Sequence, residues 1–233
     1  KSDGLSILKT TYKDNAFLTE GDIYDLENEK DEYLYNVYTL GNWGVLGNVI
    51  FKNWRVEDLS GMEGQWTNRR HGLDFGFSND PAALICTHYD PRTETIYVFN
   101  ELYERGLTNN MLYAECYPYV LNDTVTADSA EPKSIAELQA YGLRVVPAAK
   151  GRDSVTFGIQ WLQSKTIIID KRCINAINEF GQYKWREDKD GNAIAQPVDK
   201  NNHAIDALRY AYEQDMAQSA VRYGASPLDN YRG

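Results

Sequence analysis

Three apolar or alternating runs follow one another with only short gaps: GLDFGF (Gly72 to Phe77), AALICTHY (Ala82 to Tyr89) and TIYVFNEL (Thr95 to Leu102). An Asp90-Pro91 turn separates the second from the third, and connections this short join antiparallel neighbours. Three consecutive antiparallel strands are therefore expected, and everything downstream must fit around them. The pattern then changes to helices and short strands. Thr108 caps a helix to about Leu121, with Leu112, Cys116 and Tyr119 or Val120 along one face. Thr124 to Asp128 reads as a strand, Ser134-Ile135-Ala136-Glu137 as a capping box opening a helix to about Tyr141, and Leu143 to Val146 as a strand. Asp153 or Ser154 starts a helix through Leu162, TIIID (Thr166 to Asp170) is a buried strand, and Ile174, Ile177 and Phe180 mark another helix. Tyr183 to Val198 forms a polar hairpin turned at Asp190-Gly191, and Asn202 or His203 begins a last helix to about Met216. The order predicts a mixed α/β sheet, three antiparallel strands followed by βα units, flanked by helices and carrying an extra β-hairpin.

The first 60 residues are different in kind. They hold 6 basic and 11 acidic residues, half of the chain's net charge of −10 in about a quarter of its length. Glu20 to Tyr38 reads as one or two surface helices, Gly41, Gly44 and Gly47 interrupt, Val49 to Trp54 is a short strand, and Ser60 to Gln65 is a linker. This divides the chain into a linker and helical segment (1–60), a main domain (61–217) and a loose tail (218–233). An apolar fraction of 42% supports a proper core and excludes intrinsic disorder. No run reaches the length of a membrane span and no leader is visible, so a soluble intracellular protein is expected. A start at Lys1 suggests a processed chain or a fragment. Cys86, Cys116 and Cys173, an odd number without a CxxC pair, read as reduced core residues. The acidity argues against nucleic acid, which normally calls for a basic patch.

Three acids fall where periodicity does not explain them. Asp74 sits inside the first strand, where a carboxylate is costly unless paired or bound to a cation. Asp128 ends the TVTAD strand, and Asp206 lies on the last helix three residues after His203, on a shared face. Asp74 has a plain alternative in pairing with Arg69 or Arg70. Together, three carboxylates able to reach one sheet edge favour hard divalent ions, and two such ions serve phosphodiester cleavage. His203 reads either as a polar residue at a helix start or as a ligand or proton-transfer group. His71 and His88 look structural. Tyr183, Trp185 and Arg186 on the hairpin offer a stacking surface for nucleic acid. No phosphate loop, GxSxG or HExxH occurs.

GLDFGFSNDPAAL (Gly72 to Leu84), TADSAEPKSIAEL (Thr126 to Leu138), AAKGRDSVTFGI (Ala148 to Ile159) and NNHAIDALRYA (Asn201 to Ala211), with TTYKDNAFL and LGNWGVL upstream, together resemble one family. It is the C-terminal nuclease domain of tailed-bacteriophage terminase large subunits, of the SPP1-like, headful-packaging kind. The resemblance implies an RNase H-like fold, with Asp74, Asp128 and Asp206 holding two Mg²⁺ or Mn²⁺ ions and His203 as a ligand or proton-transfer group. Glu131 is an outer candidate, Lys133, Lys150 and Arg152 are candidates for phosphate, and the hairpin is a gate for DNA. Implied partners are double-stranded DNA, the packaging ATPase domain whose motifs this chain lacks, the terminase small subunit and the portal protein, in the host cytoplasm and with no membrane. The expected activity is cleavage of concatemeric viral DNA with little sequence specificity. A junction resolvase or transposase-like nuclease on the same fold is the enzyme alternative. A non-catalytic domain docking on portal or capsid through the acidic first 60 residues is the other.

Overall fold

TIIID alternates between two cores: Ile167 and Ile169 pack on one side of the sheet and Ile168 on the other. A strand apolar on both faces belongs inside a sheet covered on both sides, with a neighbour at each edge, and the computed structural model places it so. It describes residues 11–28, 48–76, 80–149, 154–189 and 193–222. By its contacts the chain divides into Lys1–Gly47 and Asn48–Gly233.

In the first unit, Thr11 caps the turn Tyr12–Asp14 and Thr19 caps helix α1 (Glu20–Glu27), each with a reciprocal aspartate three residues on. The rest of the expected helical stretch, residues 29–38, and the three glycines lie outside the described residues.

The second unit is built on seven strands: β1 (Trp54–Glu57), β2 (Arg69–Asp74), β3 (Ala82–Asp90), β4 (Thr95–Glu104), β5 (Val125–Ala127), β6 (Val145–Pro147) and β7 (Thr166–Asp170). Their order is β1-β7-β4-β3-β2-β5-β6, antiparallel across β2-β3-β4 and parallel elsewhere. Helices α2 (Asn109–Val120) and α3 (Pro132–Tyr141) cover one face, where Leu112, Cys116, Val120, Ile135 and Leu138 meet Leu73, Leu84 and Val125. Helices α4 (Ser154–Gln163), α5 (Ile174–Gln182) and α6 (His203–Ala211) cover the other, with Ile159, Phe180, Ala204 and Leu208 against Ile85, Ile96 and Ile169. Strands β8 (Trp185–Glu187) and β9 (Ala193–Pro197) form the separate hairpin, its Asp190-Gly191 turn lying outside the described residues. The three cysteines are buried and free. Among the described residues no helix is long and apolar enough to cross a membrane.

Several boundaries differ from the sequence expectation. The first strand falls at Trp54–Glu57 rather than at Val49 to Trp54, because Phe51 turns into the core against Phe180 at 4.8 Å and Val49 makes only an isolated bridge with Lys184. Helix α3 starts at Pro132 rather than at Ser134, since proline suits the first helical position. The last helix is two: α6 ends at Tyr212, whose hydroxyl lies 2.7 Å from Thr87 Oγ1, and α7 (Glu213–Arg222) follows, so helix continues past Ala217 where a loose tail was expected.

His71 and His88 both sit in strands. Burial pushes His71 below its ordinary value near 6.5, against the Asp123 bond at 3.1 Å. The folded state holds this proton less readily than the unfolded chain does, so the histidine's share of stability is present above pH 6.5 and lost as pH falls below it. Urea unfolding at pH 7.5 and pH 5.5 should show a smaller acid loss in His71→Gln than in wild type; equal losses would contradict this.

Candidate active site

Side chains alternate along β2, so Gly72 and Asp74 share the face that meets α6. A Cβ on Gly72 would stand 1.7 Å from the Ala207 carbonyl oxygen, which means that strand and helix backbones touch there. His203 lies one turn before Ala207 and therefore comes over Asp74. Its Nδ1 is 2.9 Å from Asp74 Oδ2, and its Nε2 is 3.9 Å from Asp80 Oδ1.

Asp128 reaches the same edge from the neighbouring strand. Its N–H donates to the Leu73 carbonyl at 3.0 Å, carrying the β2-β5 pairing one residue past Ala127, and its Oδ1 accepts from the Ala130 N–H at 2.9 Å. Asp206, one turn into α6, is oriented from both sides. Arg209 donates to Oδ1 through Nε and Nη2 at 3.0 and 2.8 Å, and Asn202 Nδ2 donates to Oδ2 at 3.0 Å.

The charges of these acids act on one another. Burial pushes the Asp74 carboxyl above the usual range, the bond from His203 opposes this, and the charges of Asp206 and Asp128 add to the rise. The Asp74 bond raises His203 in turn, against burial and with help from Asp74, Glu179 and Asp80. The Nδ1 and Asp74 Oδ2 atoms share one proton in this bond.

Carboxylates are the donors that hard divalent ions take, and an imidazole is a donor for first-row transition ions. Each donor is tied to a protein partner as placed, and among the described residues no three His, Cys, Asp or Glu side chains stand together as a ready metal cage. Their chemistry fits: a buried Asp74 whose ionisation two neighbouring carboxylates oppose is a charge that a cation would compensate.

Beside Asp206 a cleft of about 570 Å³ runs between the hairpin and the start of α4, lined by Ser154, Thr156, Arg186, Gln196 and Asn202. The stacking surface read from sequence is reduced to Arg186. Tyr183 is buried and stacked on Phe51, and Trp185 packs against the core. Glu131 stands at the N-cap position of α3 without a side-chain bond to the helix N–H groups and accepts from the Ser134 hydroxyl at 3.3 Å, and Lys133 is exposed on that helix. Lys150 and Arg152 lie outside the described residues. Arg209 and Asn202 escaped the sequence reading. An arginine amid AIDALRYA, on a helix otherwise burying its apolar residues, was the available signal for the first.

The family model of the terminase RNase H-like domain matches residues 74–214. The chain belongs to this family. The terminase domain is 37% identical over 223 residues to the terminase large subunit of Bacillus phage SPP1, a match spanning 91% of this chain and 53% of that protein. It is 28% identical over 224 residues to the PBSX phage terminase large subunit of Bacillus subtilis, spanning 91% and 52%. The chain thus spans about half the length of these relatives. Among solved structures it resembles the nuclease domain of the SPP1 large terminase with bound Mn, with a TM-score of 0.66 and 36% identity over 71% of this chain and 98% of that one. The P22 large terminase nuclease domain, at 18% identity and a TM-score of 0.54, covering 64% and 81%, shares the fold.

Proposed function

We propose that this terminase domain is a metal-dependent endonuclease that cuts concatemeric viral DNA during genome packaging, with Asp74, Asp128 and Asp206 holding two Mg²⁺ or Mn²⁺ ions. What supports the reading is that His203 bonds to a buried Asp74 whose ionisation the charges of Asp206 and Asp128 oppose, with an open cleft beside Asp206. Divalent ions, when bound, supply activation of water and neutralisation of charge on the leaving 3′ oxygen. The chain's residues do the rest. Arg209 and Asn202 fix the Asp206 carboxylate, and Asp128 is braced by its own turn. His203, with Nδ1 committed to Asp74, presents Nε2 to bind or to hold and pass on a proton. The cleft receives the phosphodiester backbone, where Arg186 meets phosphate. Contacts to phosphate carry no base information, which accounts for slight sequence specificity.

The acidic segment 1–60 joins the domain to the packaging ATPase, with the small subunit and portal protein as partners in the host cytoplasm. A chain of net charge −10 should bind DNA weakly without divalent ions. With Mn²⁺ or Mg²⁺ it should nick and linearise plasmid, and chelation or Asp128→Ala should remove at least about a thousandfold of the rate. Cleavage by Asp128→Ala at the wild-type rate would sink the site assignment.

A further inference from the structure

Helix α6 begins without a cap of its own. Its N-cap residue, Asn202, makes no side-chain bond to the helix N–H groups and is turned instead to Asp206. The first N–H groups of any helix need acceptors from elsewhere. Here they find Glu179, a residue of α5 that is only 3% exposed. Its Oε2 accepts from the Ile205 N–H at 3.1 Å. Its Oε1 accepts from the Tyr103 hydroxyl at 2.8 Å. The Tyr103 ring in turn meets the His203 ring edge-on, with centroids 6.3 Å apart.

Helix α5 is seated by the same device. Glu101 of β4 accepts from the Asn175 and Ala176 N–H groups at 2.9 and 2.8 Å, and from Asn175 Nδ2 at 2.9 Å. Glu101 and Tyr103 are two apart on one strand, so both point to the same side of the sheet. A carboxylate on the strand fixes the start of α5, a carboxylate on α5 fixes the start of α6, and the Tyr103 hydroxyl ties the second back to β4. Ala204 and Ile205 are the two residues between His203 and Asp206. Whatever sets their orientation also sets the approach of His203 to Asp74 and the direction of Asp206, because each residue turns the helix by about 100°.

Resting on the nuclease reading above, we propose that Glu179 is a positioning residue of the active site, acting through the first turn of α6, with Tyr103 as its anchor. An anion at a helix N-terminus is also favoured by the helix dipole. Supports behind the primary ligands of a metal commonly change its affinity by about 10- to 100-fold when removed.

The test uses the full chain with Glu179→Ala, Glu179→Gln and Tyr103→Phe, reading Mn²⁺ affinity by calorimetry, kcat and KM on plasmid DNA, thermal stability, and the NMR signals of the His203 ring. Glu179→Ala should weaken Mn²⁺ binding about tenfold or more and lower kcat while leaving KM for DNA nearly unchanged. Glu179→Gln keeps an oxygen acceptor for the Ile205 N–H and should recover most of both. Tyr103→Phe, which removes a single hydroxyl, should lie between wild type and alanine. A folded Glu179→Ala with wild-type Mn²⁺ affinity and kcat would overturn the proposal, as would equal losses of stability in the alanine and glutamine variants with no change in Mn²⁺ binding. Should the alanine variant not fold, wild-type Mn²⁺ affinity in both remaining variants would overturn it. A wild type that neither binds Mn²⁺ nor cuts DNA would remove the nuclease reading alone. The His203 ring signals then decide, shifting in the Glu179 variants if the proposal holds and staying in place if it does not.

Discussion

Asp74→Asn is expected to make the chain more stable and inactive at once. Asp74 is buried, and its carboxyl is pushed up by burial and by the charges of Asp206 and Asp128, with the His203 bond as the opposing influence. An ionised group whose folded pKa is raised costs stability at neutral pH, because the unfolded chain gives up that proton more readily. Asparagine is nearly isosteric, still accepts from His203 Nδ1–H, and carries no charge. In a chelating buffer the variant should melt at a higher temperature than wild type, the burial cost of the Asp74 charge being removed. Added Mn²⁺ should reverse the ranking. At a hundred times its Kd, an ion that binds only the folded wild type adds about 2.7 kcal/mol, and the variant should gain little. Cleavage should fall by at least about a thousandfold, in keeping with the loss of a group that acts on the reacting charge. Thermal melts with EDTA and with Mn²⁺, beside plasmid cleavage, measure all three. A variant less stable than wild type in EDTA would mean that the His203–Asp74 ion pair outweighs the burial cost, and undiminished cleavage would remove Asp74 from the site.

The same imbalance made Asp74 legible in the sequence. A lone acid between Leu73 and Phe75 breaks a local rule, and such breaks are detectable without a structure because they need only the chain's own pattern. The antiparallel core was legible for a related reason: β2, β3 and β4 are consecutive and paired in order, so turns and alternation between neighbours suffice. What stayed hidden depends on partners far apart in the chain. β1 finds its place by parallel pairing with β7, Trp54 opposite Ile167, and nothing local announces that partner. Tyr212, where α6 gives way to α7, bonds to Thr87, 125 positions away. Glu179 reads as one more polar residue of an amphipathic helix until α6 is laid over it. The acidity that argues against nucleic acid is reweighted by placement: half of the −10 lies in the first 60 residues, and the charges of Asp206 and Asp128 are close enough to act on Asp74.

Gly72→Ala should be the most damaging single methyl group in the domain. Its Cβ would stand 1.7 Å from Ala207 O, 2.7 Å from Ala207 C and 2.8 Å from Ala211 N, all backbone atoms that no rotamer change can clear. Either β2 or α6 has to withdraw. The strand is fixed by pairing with β3 and β5 on its two sides, so the helix is the element that gives. Overpacking of this kind costs about 3 kcal/mol or more. Gly64, outside the sheet with nothing within 4 Å of an added methyl group, is the control, and Gly64→Ala should be neutral or slightly stabilising. The second consequence is chemical. His203 is one turn from Ala207, so a withdrawn α6 lifts His203 from Asp74 and moves Asp206 away from the strand. The Gly72→Ala variant, assayed at a temperature where it is still folded, should bind Mn²⁺ more weakly and cut DNA far more slowly than its stability alone would explain. Urea unfolding and Mn²⁺ calorimetry separate the two effects. Loss of stability with intact Mn²⁺ affinity would mean that α6 yields at its Ala211 end and keeps its first turn in place; wild-type behaviour in both would contradict the backbone contact on which the site is built.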